Sequence, residues 1–499
     1  MLQTKRIAGA ALLVSLLLSS CGDSFLDQSP RDRLTEETFY KTETDAIQAT
    51  NAVYGVLTQQ GLYNGALWGF GDVMADNSET GGGGGGDGAE YTQLDNYTIQ
   101  PTNPLISAHW TACYVGIGRA NIVLERVPAI TDMTETIRKR CLGEAQFLRA
   151  LYYFHLVRVY GPVPLIVKPA KSAAEGLLAR SSEDEVYERI VQDLTDAAAN
   201  LEETSSSDNL GRATKWAATG LLAKVHLTRG NMSAAATAAR AVISSNKYSL
   251  WPDYADNFKV ANENGQESIF EVQFKSSVTT WNDNGVGFKG NEFFAPRGQG
   301  LTPNNGYGFN VPTREFAQGY EAGDRRRPAT IWQPGDAYPA GTTAGTEQPG
   351  SLPGSPNGLN VRKWFVGRAN NCCHDSELNI PVLRLAEMHL ILAEAVGNSP
   401  EGFDNLNKVR RRAFGLPLNV ASPRDLTAAN TADFAAAVLR ERRYELAFED
   451  DRWFDLKRTK KLVATMRAAG KNIQPFNEVL PLPQSERDIN PKIEQNTGY

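Results

Sequence analysis

The stretch Glu144–Tyr160 (EAQFLRALYYFHLVRVY) constrains this chain most. At 3.6 residues per turn it is apolar around most of its circumference, so a helix there has to be buried on nearly every side. Gly161-Pro162-Val163-Pro164 stops it sharply. Burying such a helix takes a sizeable body. With 499 residues, 41% hydrophobic and 22% charged, the chain has the material for one. The same figures exclude a disordered chain, a collagen-like chain, a polytopic membrane protein and a small disulfide scaffold.

Other segments carry helical periodicity. Ala46–Leu57 and Trp110–Val127 place apolar residues three and four apart, and Glu183–Leu201 is amphipathic behind the cap candidates Ser181 and Ser182. In Trp216–Tyr248, Leu222, Ala223 and His226 share one face, Gly230-Asn231 makes a turn, and Ala235, Ala239 and Val242 line the next helix. Small residues at these offsets let two antiparallel helices approach closely, the tetratricopeptide pattern of about 34 residues. A weaker copy starts at Leu385-Ala386, with His389, Ala393 and a partner near 406–414, and a half-copy lies in Ala150–Val157. The copies are scattered and degenerate. The expected fold is therefore mainly α, a tetratricopeptide-like scaffold of stacked helix pairs carrying something else, not an open solenoid.

The mounted piece is residues 250–380, rich in Gly and Pro, with strand-like runs such as Ser268–Phe274 and a Gly/Pro/Thr loop at 334–358. Loops this long within a compact domain are usually functional. Trp281, Phe288, Phe293, Phe294, Tyr307, Phe309, Trp332 and Trp364 fall here, and irregular segments are expected to hold such rings near the surface. A second irregular piece, Trp68–Tyr97, contains Asp72, Asp76, Asn77 and the glycine run Gly81–Gly86. It reads as a flexible surface loop. Gly82–Ala89 formally fits one calcium-binding nonapeptide unit, but those units bind the ion in stacked arrays. The organisation expected is a leader at 1–20, an N-terminal helical part at 21–249, the irregular insertion at 250–380 and a C-terminal helical part at 381–499.

Residues 1–20 read as a secretion signal. Lys5 and Arg6 precede an apolar run, Ile7–Leu18, that is too short to span a bilayer. Leu18-Ser19-Ser20-Cys21 looks like a bacterial lipobox, which makes Cys21 the lipidation site and anchors the body through its acyl chains. Export permits oxidation of the remaining cysteines: Cys113 and Cys141 are either reduced core residues or a pair. Cys372-Cys373-His374-Asp375 lacks the Cys-x-x-Cys spacing of a zinc knuckle, and neither a metal nor a cofactor is assigned. A net charge of -6 with no long basic stretch argues against nucleic acid as the main partner.

A set of motifs runs in order along the chain: Cys21-Gly-Asp-Ser-Phe-Leu-Asp27 with Pro30, Glu144 to Pro164, Pro312-Thr313 with Tyr320 and Gly323-Asp324-x-Arg326, Arg384 to Glu394, Leu406-Asn407-x-Val409-Arg410, Glu441 to Glu449 with Arg452-Trp-Phe-Asp-Leu-Lys457, and Leu480-Pro-Leu-Pro483 through Asn490-Pro491 to Gly498-Tyr499. Together they resemble the SusD/RagB family over essentially the whole mature chain. The resemblance implies a non-catalytic lipoprotein on the outer-membrane surface that captures oligosaccharides, or in some branches peptides, and passes them to a SusC-like TonB-dependent transporter. The dense charges Glu441, Arg442, Arg443, Glu445, Glu449, Asp451 and Arg452 suit helix-surface ion pairs in a structural joint better than a catalytic carboxylate pair.

Sugars present flat C–H faces and hydroxyl edges, which aromatic rings and polar side chains match. The candidate ligand contacts are Trp68, Asp72, Asp76 and Asn77 from the first irregular piece and Trp281, Asn304, Tyr307 and Trp332 from the insertion. Trp110, Trp216 and Trp453 lie on helical faces and belong to the core. Three other readings stay open: peptide capture within the same family, a glycoside hydrolase, and a tetratricopeptide scaffold that binds proteins.

Overall fold

The computed structural model describes residues 39–84, 86–276, 286–339, 346–367 and 376–499. Helices dominate it. Thr42 opens α1 (Glu43–Tyr54) with a capping box to Asp45. Asn103 caps α2 (Pro104–Arg126), whose first residue is proline, as suits a position with no intrahelical donor to lose. The most constrained stretch lies in α3 (Glu135–Tyr160), buried at every position from Phe147 to Tyr160 and stopped by Gly161 at φ 72°. Ser182 and Glu185 form the capping box of α4 (Glu183–Asn200). The helical pair expected in Trp216–Tyr248 is α5 (Lys215–Thr228) and α6 (Met232–Ser244). Beyond the insertion come α7 (Leu385–Val396), α8 (Pro400–Ala413), α9 (Phe434–Glu445) and α10 (Arg452–Arg458).

Each helix from α2 to α8 packs on its predecessor and its successor, and α1 lies against α2 and α3. Small residues permit this closeness. A Cβ on Gly116 of α2 would sit 2.3 Å from the Tyr152 ring of α3, and Ala235 and Ala239 of α6 are fully buried. The stack also runs without a break from α6 to α7, although the whole insertion separates them in sequence. The insertion leaves and returns at one place, because β2 (Ser268–Val272) pairs antiparallel with β6 (Ile380–Arg384), Val272 opposite Ile380. Two shorter ladders lie inside this neck's reach: β1 (Ser78–Glu79) with β3 (Val311–Pro312), and β4 (Ile331–Trp332) with β5 (Asn360–Val361). The first of these stitches the early irregular segment to the insertion.

The charged signature at 441–452 is a joint, but not of helix-surface pairs. Its partners come from other elements and, apart from the exposed Glu315 on Arg443, are largely buried. Glu445 accepts from Arg384, from Arg412 at 2.5 Å and from Arg326 at 3.2 Å, while Glu441 accepts from Arg326 at 2.6 Å. Arg384 also bonds Glu449 at 2.7 Å and Glu267 at 3.1 Å. The joint thus ties α9 to α8, to the neck strand β6 and to the insertion. Lone buried charges are costly, and here each carboxylate is met by several guanidinium donors. The closing motif is a clasp on α3: the Leu480 amide donates to the Val159 carbonyl at 2.9 Å, and Asn496 Nδ2 to that of Tyr160 at 2.9 Å.

Cys113 and Cys141 are both free and buried, which settles their pairing. Cys372 and Cys373 lie outside the described residues, as do Cys21 and the whole leader. No helix among the described residues is long and apolar enough to cross a membrane.

Candidate functional site

The loop at 290–309 is folded on itself by its own hydrogen bonds. A short helical turn, Gly290–Phe293, places Glu292 at its centre. The Glu292 carboxylate accepts from Thr302 Oγ1 at 2.8 Å and from the Gly306 amide at 2.9 Å. The Tyr307, Gly308 and Phe309 amides donate to the carbonyls of Glu292, Ala295 and Phe293 at 3.0, 3.0 and 2.8 Å. Asn305 (φ 72°) supplies a left-handed turn that Asn tolerates, and Gly306 follows at φ 69°. The chain so constrained presents Tyr307 at the surface, half-buried.

Beneath Tyr307 lies a stack of rings. Phe309 is parallel to it, with centroids 6.4 Å apart, and Phe293 meets both edge-on at 5.6 and 5.8 Å. Below them Trp68 stacks on Tyr91 at 3.9 Å and meets Phe294 edge-on at 5.2 Å. These offset and T-shaped contacts are the favoured geometries for aromatic quadrupoles, so Tyr307 stands on a rigid base.

A polar rim surrounds the exposed ring. Arg297 Nη1 donates to Asp87 Oδ2 at 2.6 Å and to the Tyr307 carbonyl at 3.2 Å, and its guanidinium carbon lies 5.9 Å from the Tyr307 centroid. The Gly83 amide also donates to Asp87 Oδ2, at 2.7 Å. Burial keeps the Tyr307 hydroxyl above its ordinary value of 10.0, so it stays a neutral donor at physiological pH. Asn304 is partly exposed nearby in sequence, and its Nδ2 has no hydrogen-bond partner among the described residues.

The first two glycines of the run are part of this construction, whereas Gly83, Gly84 and Gly86 are exposed, as a surface loop would be. The Gly82 amide donates to the Gly308 carbonyl at 2.9 Å, and a Cβ on Gly81 would lie 1.8 Å from that oxygen. Only a bare backbone can come so near, and Gly82, at φ 93°, also takes a conformation that disfavours side chains. Gly81 and Gly82 form a seam between the early segment and the insertion.

Of the eight expected contacts, the structure exposes two in part, Asn304 and Tyr307. Trp68 is 4% exposed, with both ring faces engaged as above. Asp72 is 1% exposed and accepts from Asn310 Nδ2 at 3.1 Å. Arg452 grips Asp76 through two bonds of 2.7 and 2.9 Å, and Asn77 accepts from Arg443 Nε at 2.7 Å. Trp332 is 0% exposed, in a small core with Leu301, Tyr338 and Phe365. These five side chains hold the loops together and offer no open face. Trp281 lies outside the described residues. The expectation that insertion aromatics sit near the surface thus fails for Phe288, Phe294, Phe309, Trp332 and Trp364, all buried: Trp332 in the small core just described, the other four in the main core of the molecule. Asp87 and Arg297 were not anticipated. The glycine run just before Asp87 was their available signal, since a bare backbone marks a close approach.

The fold and the rim can be set beside known proteins. A family profile described as starch-binding and associating with the outer membrane matches residues 24–227, and the SusD family profile matches 266–499. The chain belongs to the SusD/RagB family. Among its curated relatives, a SusD-like protein of Bacteroides ovatus is 30% identical over 89% of this chain and 80% of its own. The starch-binding protein SusD of Bacteroides thetaiotaomicron is 23% identical over 82% and 81%. Among solved structures, a laminarin binding SusD-like protein has a TM-score of 0.80 at 31% identity, covering 92% of this chain and all of its own. The surface glycan-binding protein A of Bacteroides thetaiotaomicron, solved with laminarihexaose, has a TM-score of 0.76 at 25% identity, covering 91% and 99%. This SusD/RagB chain thus shares its helical frame with glycan binders along nearly its whole length.

Proposed function

We propose that this chain is a non-catalytic surface glycan-binding protein that holds an oligosaccharide at the Tyr307 rim and hands it on unchanged. The observation that carries the reading is the half-buried Tyr307, braced on buried rings and bordered by Arg297 with its partner Asp87. A flat ring covers a sugar's C–H face, while the surrounding polar groups meet its hydroxyls. Shallow stacking of this kind binds in the range of about µM to mM, which suits a protein that must release its cargo. The receiving partner is a SusC-like TonB-dependent barrel, and the anchor is acylated Cys21 at the cell surface. The laminarin and laminarihexaose binders among the structural neighbours make laminarin fragments the first cargo to test.

Calorimetric titration of residues 22–499 with laminarihexaose, and then with a broad oligosaccharide array, is the test. Tyr307→Ala is expected to weaken whichever glycan binds by about tenfold or more, the scale of one lost aromatic platform. Binding of no glycan at all, or a Y307A variant that binds as well as the parent, sinks the reading.

A further inference from the structure

The insertion lines an open cleft of about 790 Å³. Phe258, Leu301, Pro328 and Phe365 form apolar walls, and Leu301 belongs to the same loop as Tyr307. Phe258 is fixed edge-on to Trp364 at 5.4 Å and Phe365 to Trp332 at 4.7 Å.

Four cations also line this cleft, and two are already committed. Lys363 donates to the Ala447 carbonyl and to Glu449 at 2.8 Å, while Lys259 pairs with Asp256 at 2.6 Å. Arg325 and Arg362 have no carboxylate in ion-pair reach among the described residues. Asp336, whose charge favours protonated Arg362, is bonded instead by Arg327 at 2.7 Å and by the Gln333 amide at 3.0 Å. Burial, with the nearby Arg327, lowers the proton affinity of Arg362, as expected of a partly desolvated cation lacking a close anion. Among the described residues, the acid lining the cleft is Asp253, exposed and accepting from the Ala255 amide at 3.1 Å.

Both arginines are held in place by the fold. The Arg362 amide donates to the Thr330 carbonyl at 2.8 Å, and its guanidinium carbon lies 5.5 Å from the Trp332 centroid. The Arg325 amide donates to the Ala413 carbonyl at 2.8 Å, and its guanidinium lies across Gly415, where a Cβ would sit 1.9 Å from it. We propose that this cleft is a subsite for an acidic sugar, with Arg325 and Arg362 binding a carboxylate or sulfate borne by the cargo glycan. The guanidinium fork matches such oxygens with two parallel N–H donors, and the apolar walls take the sugar ring that carries them. The proposal rests on the glycan-capture reading and narrows its cargo to oligosaccharides bearing uronate or sulfate groups.

Calorimetry of the mature chain with three hexasaccharides tests it: laminarihexaose, which is uncharged, an oligouronate and a sulfated galactan fragment. At about 50 mM salt at least one acidic sugar is expected to bind about tenfold tighter than laminarihexaose, and to lose much of that margin at about 500 mM. Preference for the uronate identifies a carboxylate cargo; preference for the sulfated fragment identifies a sulfate one. The double variant Arg325→Gln with Arg362→Gln should abolish the margin and leave laminarihexaose affinity in place. Because Arg362 is partly buried, Arg325→Glu on the exposed arginine serves as a second variant and should weaken the acidic sugar alone. The subsite is overturned if both acidic sugars bind no tighter than laminarihexaose, or if the variants change charged and uncharged binding equally. Binding of none of the three overturns the subsite, and silence across the broad oligosaccharide array as well overturns the capture reading.

Discussion

Buried carboxylates in this protein fall into two groups with opposite consequences for pH. Burial alone would raise the Glu445 carboxyl, but the guanidinium groups of Arg412, Arg384 and Arg326 hold it down at about 2. Its stabilising contribution is therefore present above the ordinary value of 4.5 and is lost as pH falls toward 2. Asp72 and Glu144 behave the other way. Burial pushes both up to about 7, against the Asn310 hydrogen bond in one case and against Arg212 and Arg140 in the other. The folded state then holds their protons more tightly than the unfolded chain, so stability declines as pH rises through that interval. Asp72→Asn removes one buried ionisation, so the melting temperature of the variant should gain on that of the parent as pH rises from about 4 to 7. A difference between the two that stays constant across this range contradicts the assignment. None of these shifts is readable from sequence, since Glu445 and its arginine partners meet only after four elements have assembled.

Between elements, the contact of α2 with α3 gives the sharpest test. Alanine suits a helix interior better than glycine by about 1 kcal/mol, so propensity alone favours Gly116→Ala. The Tyr152 ring opposes it at 2.3 Å and cannot readily swing aside, because its hydroxyl donates to the Val53 carbonyl at 2.7 Å. Overpacking of this kind costs about 1–3 kcal/mol, so the clash should win and lower the denaturation midpoint. A G116A protein as stable as the parent means the two helices can separate. The helices themselves were legible, because a 3.6-residue period and capping pairs such as Ser182 with Glu185 are local signals. The site was less so. Trp68 looked available in a polar, glycine-rich segment, yet Phe294 and Phe309 from the remote insertion cover it. A loop's burial depends on what folds back over it, and single-segment reading does not carry that information. The partial exposure of Tyr307 is legible because its setting is local, a tight run of Gly and Asn that lifts it outward.

For the whole molecule, the ordered motifs carried family and fold together, and the contacts now give several of them physical roles: the Glu441–Arg452 signature is the ionic joint, and the Leu480–Tyr499 tail is the clasp on α3. Attachment is testable at this scale. Cys21→Ser expressed with its leader should move the protein from the membrane pellet to the soluble fraction, whereas continued sedimentation with membranes contradicts lipid anchoring at that residue. The meeting of α6 with α7 across the insertion has a further consequence. Since β2 and β6 bring the chain into and out of the insertion at a single ladder, the helical stack meets its contents through that neck, the ionic joint and the seam with the early segment. Doubling the length of a flexible excursion costs only about 0.6 kcal/mol in closure entropy. Recognition is in this sense a replaceable cartridge: a graft from a relative that keeps the two antiparallel edges, the arginine socket and the residues facing the glycine seam could change diet without re-engineering the chassis.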